Sequence, residues 1–349
     1  MDTFFQLETV MVLLIGSIIL SSGLAWLSIK LAPEVGLMDI PGSAEHKSHP
    51  RPIPLVGGIV LIDTLIIILF VTGMWKNPGI WAISMAGLII GLFGLLDDFI
   101  NLNASKKLIG QIAASVVLIG LGVQVNFFDS PEFLFQIGAP WDKWLNILFT
   151  ILWVVTITNA FNFIDSMDGL AVGLSGVSAG FILIISFATS QPGLIFLSTT
   201  VLGVCIALYI YNSHPASLFL GDSGAQLLGF ILAASAILYD PKVGTQSSTW
   251  FVPVLIFSVP LFDMALVIVS RLRRGKKIHK ASKDHTYHRL EQRGIPLHHA
   301  VLMMHGTSLI LSMVGFLCLN LPPVFANLIF GFVVLLGVAT YLELDKKYL

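Results

Sequence analysis

Eleven stretches of predominantly apolar residues divide the chain, near 9–31, 55–75, 78–96, 107–125, 143–158, 169–189, 192–212, 224–239, 250–271, 299–319 and 323–343. About 20 helical residues cross a hydrocarbon core, and a helix satisfies its backbone polar groups internally, as that solvent demands. The chain cannot bury this much oil in a water-soluble core. Of its 349 residues 56% are hydrophobic, mean hydropathy is +0.88, and only 11% are charged, against about a quarter in soluble domains. The pattern predicts an all-α, polytopic integral membrane protein with about eleven transmembrane helices, organised as one domain over 1–349. The first run has neither a basic leader nor a small-residue cleavage site and reads as a retained span. Cys205 and Cys318 both fall inside runs, giving neither a disulfide framework nor a metal-type spacing.

Lys and Arg set the orientation, because short cytoplasmic loops carry the positive excess. If the spans alternate, segments 30–54, 97–107, 159–168, 213–223, 271–298 and 344–349 share one face and hold sixteen of the 19 basic residues, nine of them between Arg271 and Arg293. Lys76, Lys143 and Lys242 remain for the other side. The rich face is predicted to be cytoplasmic, with the N-terminus outside and the C-terminus inside, in the inner (plasma) membrane. Net charge, at -1, carries far less information than this distribution.

The same alternation gathers the polar motifs. "LLDDFINLNASKK" (95–107), "TNAFNFIDSMDGLAVG" (158–173), "SHPASLFLGDSGA" (213–225) and "KDHTYHRLEQRG" (283–294) all fall on the basic face. Asp97 and Asp98 either mark a membrane boundary or belong to a site; as carboxylates at a helix C-terminus they need a cation nearby, and Lys106 and Lys107 follow. "FLGDSG" reads as a turn or as a glycine-lined phosphate cradle with one carboxylate for a metal. His285 and His288, at i and i+3, are a solvated pair or, with His298 and His299, a zinc site lacking a fourth kind of ligand. In the 158–173 stretch Asn159 and Asn162, like Asp165 and Asp168, lie one helical turn apart. Polar groups at membrane depth are costly unless they line a site. An Asp and Asn set without clustered thiols suits magnesium, and magnesium beside Lys, Arg and His suggests a diphosphate substrate.

These motifs, with "HKSHPRPIPLVGG" (46–58), resemble in type and order those of the polyprenyl-phosphate N-acetylhexosamine-1-phosphate transferases, over nearly the whole chain. The resemblance implies an active site on loops 33–54, 97–107, 159–168, 213–223 and 271–298. It implies catalytic roles for Asp97 and Asp98 at the lipid phosphate, magnesium ligation by Asn162 and Asp222 with manganese as a substitute, and uracil stacking on Phe219. Asp168 matches a uridine-recognition position, and Lys107, His285, His288 and Arg289 match groups around the diphosphate and sugar. Lys47, His49, Asn101 and Asp165 complete the implied substrate-binding set. The implied reaction moves N-acetylglucosamine 1-phosphate from a UDP-sugar to undecaprenyl phosphate, priming a cell-envelope polysaccharide. The implied partners are the UDP-N-acetylhexosamine donor, the polyprenyl phosphate and the bilayer, with a possible homodimer and no nucleic acid.

Three positions depart from the family pattern: Tyr287 stands where a middle histidine is usual, Ile53 replaces a threonine and Leu55 an arginine. Tyr287 argues against the muramoyl-pentapeptide branch, whose motif is a run of histidines. A transporter with Asp63 and Asp263 as intramembrane charges is the other class to weigh; the motifs gather at one rim and not at mid-membrane. The charge asymmetry makes a direct prediction. A cysteine introduced within 276–283 should react with a membrane-impermeant thiol reagent only from the cytoplasmic side, and labelling in intact cells would overturn the orientation.

Overall fold

A computed structural model describes residues 3–41, 51–128, 138–239, 250–276 and 284–346. Lys47 and His49 lie outside the described residues. A helix falls on each apolar run: α1 Thr3–Val35, α2 Gly57–Val71, α3 Pro78–Ile100, α4 Ala104–Gly120, α5 Trp141–Ile164, α6 Leu170–Ala188, α7 Pro192–Asn212 and α8 Gly221–Leu238. The ninth run is broken into α9 (Val252–Ile256) and α10 (Ser258–Arg273), near Pro260, which has no N–H to continue the ladder. The short α11 (Thr286–Glu291) precedes α12 (Leu297–Cys318) and α13 (Pro323–Asp345).

Eight of these, α1, α3, α5 to α8, α12 and α13, are long and apolar enough to cross a membrane. The other three runs yield shorter helices: α2, α4 and α10 have 15, 17 and 16 residues, about 22–26 Å at 1.5 Å per residue. Local chemistry sets several ends. Asn77 accepts the Ile80 N–H at 3.1 Å to cap α3 behind Pro78, Asn103 caps α4 through Lys106 N at 3.0 Å, and Asn101 ends α3 in the left-handed region at φ 50°.

The bundle is built round α8, against which α2, α3, α5, α6 and α7 pack. Thirteen residues of α8 are buried, whereas α1 and α13 face outward along most of their length. Side-chain amides hold α4, α5 and α8 together in the interior: Gln111 Nε2 donates to Gln226 Oε1 at 3.0 Å, and Asn159 Nδ2 donates to Gln111 Oε1 at 2.7 Å. Such bonds between helices leave no amide unsatisfied in an apolar surround.

Backbone pairing locks the start of α8 in place. Strands β1 (Met38–Asp39) and β2 (Ile53–Pro54) pair antiparallel, Met38 opposite Pro54, and Leu55 bridges in parallel to Phe219. Gly57 N and Gly58 N then donate to Phe219 O and Leu220 O at 3.1 and 3.0 Å. Of the two departures in this segment, Ile53 pairs with Asp39 of β1 and Leu55 bridges to Phe219. Lower down, α3 reaches α8 through Gly94, where a Cβ would lie 2.7 Å from Ser223 N.

At the far end of the chain, Arg289 of α11 has no exposed side-chain surface and donates to Asp345 of α13 at 2.5 Å and to Leu344 O at 3.3 Å. Ser270 and Arg273 of α10 reach the same carboxylate at 2.8 and 2.7 Å. Breaking a buried pair of this kind by removing one partner costs about 3–5 kcal/mol.

The contact at Gly94 is backbone on both sides, so no flexible side chain can give way. Gly94→Ala should destabilise the protein by about 1–3 kcal/mol, the usual cost of overpacking. Gly180→Ala in α6, where nothing lies within 4 Å, should not. Thermal unfolding of the two variants in detergent checks this, and equal melting temperatures would refute it.

Candidate active site at the start of α8

Gly221 opens α8 with φ at 70°, a conformation that suits glycine, and a Cβ there would press on Asp98 Oδ2 at 2.6 Å. The tight turn aims the first amides of α8 at Asp98. Its carboxylate accepts Asp222 N at 2.7 Å, Ser223 N at 3.1 Å and Ser223 Oγ at 2.6 Å. A helix N-terminus carries unsatisfied donors and positive potential, so a carboxylate is their natural partner. Asp98 therefore anchors the end of α3 to the beginning of α8.

Its neighbour Asp97 turns inward, with a side chain 3% exposed. It accepts Leu102 N at 2.6 Å and pairs with Lys107 Nζ, which also reaches Asp222 Oδ1 at 3.0 Å. One ammonium thus bridges carboxylates from two helices. Asn162, in the last turn of α5, donates Nδ2 to Asp222 Oδ1 at 2.8 Å, and Gln226 stands one turn further along α8 at 3.5 Å.

Asp165 ends α5, its backbone N–H donating to Asn162 O at 3.3 Å, and it turns its carboxyl toward the other carboxylates of the site. Burial, joined by the carboxylates of Asp222, Asp98 and Asp168, pushes its carboxyl up to about 8. Asp168 is held differently: it meets His214 Nδ1 at 3.0 Å and accepts Ala216 N at 3.2 Å, which fastens it to the loop before Phe219. Sequence reasoning passed over His214, whose side chain is 81% exposed beside Asp168; its place in the "SHPAS" stretch was the available signal.

The histidine segment joins from the opposite side. Tyr287 donates its hydroxyl to Ser166 Oγ at 2.8 Å, so α11 touches the loop between Asp165 and Asp168. Burial raises the Tyr287 phenol above its ordinary range. His288 packs on that ring at 4.2 Å between centroids, and His285 stacks on it at 5.6 Å with 10° between planes. His285 Nδ1 meets Asp263 of α10 at 2.8 Å. Arg289, which the resemblance places near the diphosphate, has its guanidinium committed to Asp345, the Leu344 carbonyl and the Asp284 carbonyl. Asn101 is the exposed left-handed residue that ends α3.

Residues 80–240, the stretch that contains both aspartates, Lys107, Asn162 and Asp222, match the model of the glycosyl transferase family 4. A probable undecaprenyl-phosphate N-acetylglucosaminyl 1-phosphate transferase of Bacillus subtilis is 30% identical over 285 residues, 81% of this chain and 77% of that protein. The chain belongs to this family. A decaprenyl-phosphate N-acetylglucosaminephosphotransferase of Mycobacterium tuberculosis is 30% identical over 91% of this chain and 84% of its own. A phospho-N-acetylmuramoyl-pentapeptide-transferase of Enterococcus faecalis is also 30% identical, over 66% of this chain and 74% of its own. In the family 4 chain described here, four separate helices and two loops thus contribute to one polar cluster at one end of the bundle.

The raised Asp165 carboxyl makes stability depend on pH with a definite sign. The folded protein keeps a proton that the unfolded chain releases near pH ~3.9, so this group draws stability down as pH rises from about 4 to about 8. Asp165→Asn removes that dependence. With divalent cations chelated, its melting temperature should fall less than that of the wild type between about pH 5 and pH 8; parallel profiles would refute the assignment.

Proposed function

We propose that the protein transfers N-acetylglucosamine 1-phosphate, or a closely related amino-sugar phosphate, from its UDP-sugar to undecaprenyl phosphate. The observation that carries this reading is the Asp97–Lys107–Asp222–Asn162 cluster at the start of α8, in a chain whose relatives bear the names of such transferases. The lipid phosphate oxygen attacks the β-phosphorus, the bond from that phosphorus to the bridging oxygen breaks, and UMP leaves with the electron pair. In-line placement and charge neutralisation are most of what such a transfer requires.

The donor set fits magnesium. The place between Asp97 and Asp222 already attracts a cation, the Lys107 ammonium, and Asn162, whose amide nitrogen donates to the Asp222 carboxylate, has an amide oxygen to offer a metal once that amide turns over. Among the described residues no three His, Cys, Asp or Glu side chains form a complete cage, which suits an ion that takes one or two carboxylates and completes its shell with waters and substrate phosphates. Asn162 and Asp222 would hold it. When bound, it neutralises charge on the diphosphate.

The chain's own residues divide the remaining work. Lys107, released from one carboxylate, is the cation for a phosphate oxygen. Asp98 keeps the start of α8 rigid, so that Asp222 does not drift. Phe219, aligned by its pairing with Leu55, offers a ring to uracil, and Asp168 lies on the same loop system. The eleven apolar runs cross the bilayer, α2, α4 and α10 included, and the basic-residue bias puts the cluster on the cytoplasmic side of the plasma membrane, where a UDP-sugar is available.

Purified protein with undecaprenyl phosphate and a panel of UDP-sugars should release UMP and form a lipid diphospho-sugar of the expected mass. Asp222→Asn should abolish turnover at ordinary magnesium while leaving thermal stability near that of the wild type. Wild-type rate and magnesium dependence in that variant would place the metal elsewhere, and absence of UMP with every donor would sink the transferase reading.

A further inference from the structure

Asp263 is wholly buried in α10, yet the transferase reading gives it no task. A carboxylate at that depth is expensive and calls for a partner. Its two oxygens go to consecutive residues of the histidine segment: Oδ1 accepts the Thr286 N–H at 2.6 Å and Oδ2 meets His285 Nδ1 at 2.8 Å. The first bond caps α11 from another helix. The second fixes an imidazole whose opposite face lies against Tyr287, itself tied to Ser166 in the loop between Asp165 and Asp168. The ring is thus held by its edge and by its face, and cannot swivel without breaking one contact or the other.

An ionised carboxylate can only accept, so the ring proton belongs on Nδ1. In the neutral ring this leaves Nε2 with a lone pair. A lone pair seeks an O–H or N–H; diphosphate oxygens offer none, whereas an amino sugar offers hydroxyls and an acetamido N–H. We propose that Asp263 is a positioning residue that sets His285 in the Nδ1–H tautomer, so that Nε2 accepts a hydrogen bond from the sugar of the donor and not from its phosphates. This rests on the transferase reading and deepens it by assigning His285 to sugar recognition.

Asp263→Asn is the informative substitution. Its amide oxygen can still accept Thr286 N–H and cap α11, but the NH2 then faces Nδ1 and drives the proton to Nε2, the tautomer reversal that a triad Asp→Asn change produces. Nitrogen-15 spectra of labelled histidine should show His285 protonated on Nδ1 in the wild type and on Nε2 in the variant. This readout needs no turnover, and the wild-type spectrum needs no variant that folds. Titrating the detergent-purified protein with ligands then locates the contact. Affinity for UDP-N-acetylglucosamine should fall about tenfold in Asp263→Asn, equivalent to ~1.4 kcal/mol, whereas affinity for UDP, which has the diphosphate but no sugar, should be unchanged. His285→Ala should lose as much, and the double variant should lose no more than His285→Ala alone. A wild-type ring protonated on Nε2, equal weakening of UDP, or additive losses in the double variant would each overturn the proposal. If the spectra behave as expected but the protein never releases UMP, the dyad stands and the transferase reading falls.

Discussion

The carboxylate of Asp98 is the joint on which the site hangs. It receives two backbone amides and a hydroxyl from the first turn of α8, and the first of those amides belongs to Asp222 itself. Hydrogen bonds to a charged acceptor are roughly twice as strong as neutral ones, and three of them on one side chain set both the height and the rotation of α8 against α3. Gly94 lets the two helices approach closely enough for this to happen, and the pairing of residues 54–58 with 219–220 closes the joint from a third side. Adjacent residues are therefore held in different ways: Asp98 joins α3 to the start of α8, while Asp97 and Asp222 share the Lys107 ammonium.

Below that joint the polar residues sort by depth. Gln111, Asn159 and Gln226 form an amide network that satisfies itself within the bundle, and Asn162 and Asp222, one turn nearer the rim, open toward the cluster. The network gives α4, α5 and α8 one relative rotation, since a slip of any of the three would strand an amide in an apolar surround. Lys107, one turn before Gln111 on α4, inherits its place from that constraint.

Most of the helical framework was legible from hydrophobic run length alone, because the bilayer tolerates few alternatives to a helix. The lengths of α2, α4 and α10 were not: run length counts apolar residues, whereas the helix ends are decided by caps, by Pro260 and by the backbone pairing at Gly57. The cluster was legible as a set of motifs, since Asp97, Lys107, Asn162 and Asp222 do meet. Residue type could not reveal how alike residues divide their tasks. Asn159 and Asn162 look equivalent at a spacing of three, yet one faces Gln111 and the other Asp222. Asp97 and Asp98 are adjacent in sequence, so a helix points them some 100° apart. Arg289 lies within a motif that resembles a phosphate-binding one, but its partner, Asp345, is 56 residues away, and no local pattern announces a long-range ion pair.

That ion pair has a consequence for biogenesis. Arg289 is made 56 residues before the carboxylate that neutralises it, and α12 and most of α13 must enter the bilayer in between. Until then the guanidinium lacks the carboxylate that pairs with it in the folded chain. The seating of the histidine segment thus depends on the arrival of a helix that buries little of its own surface.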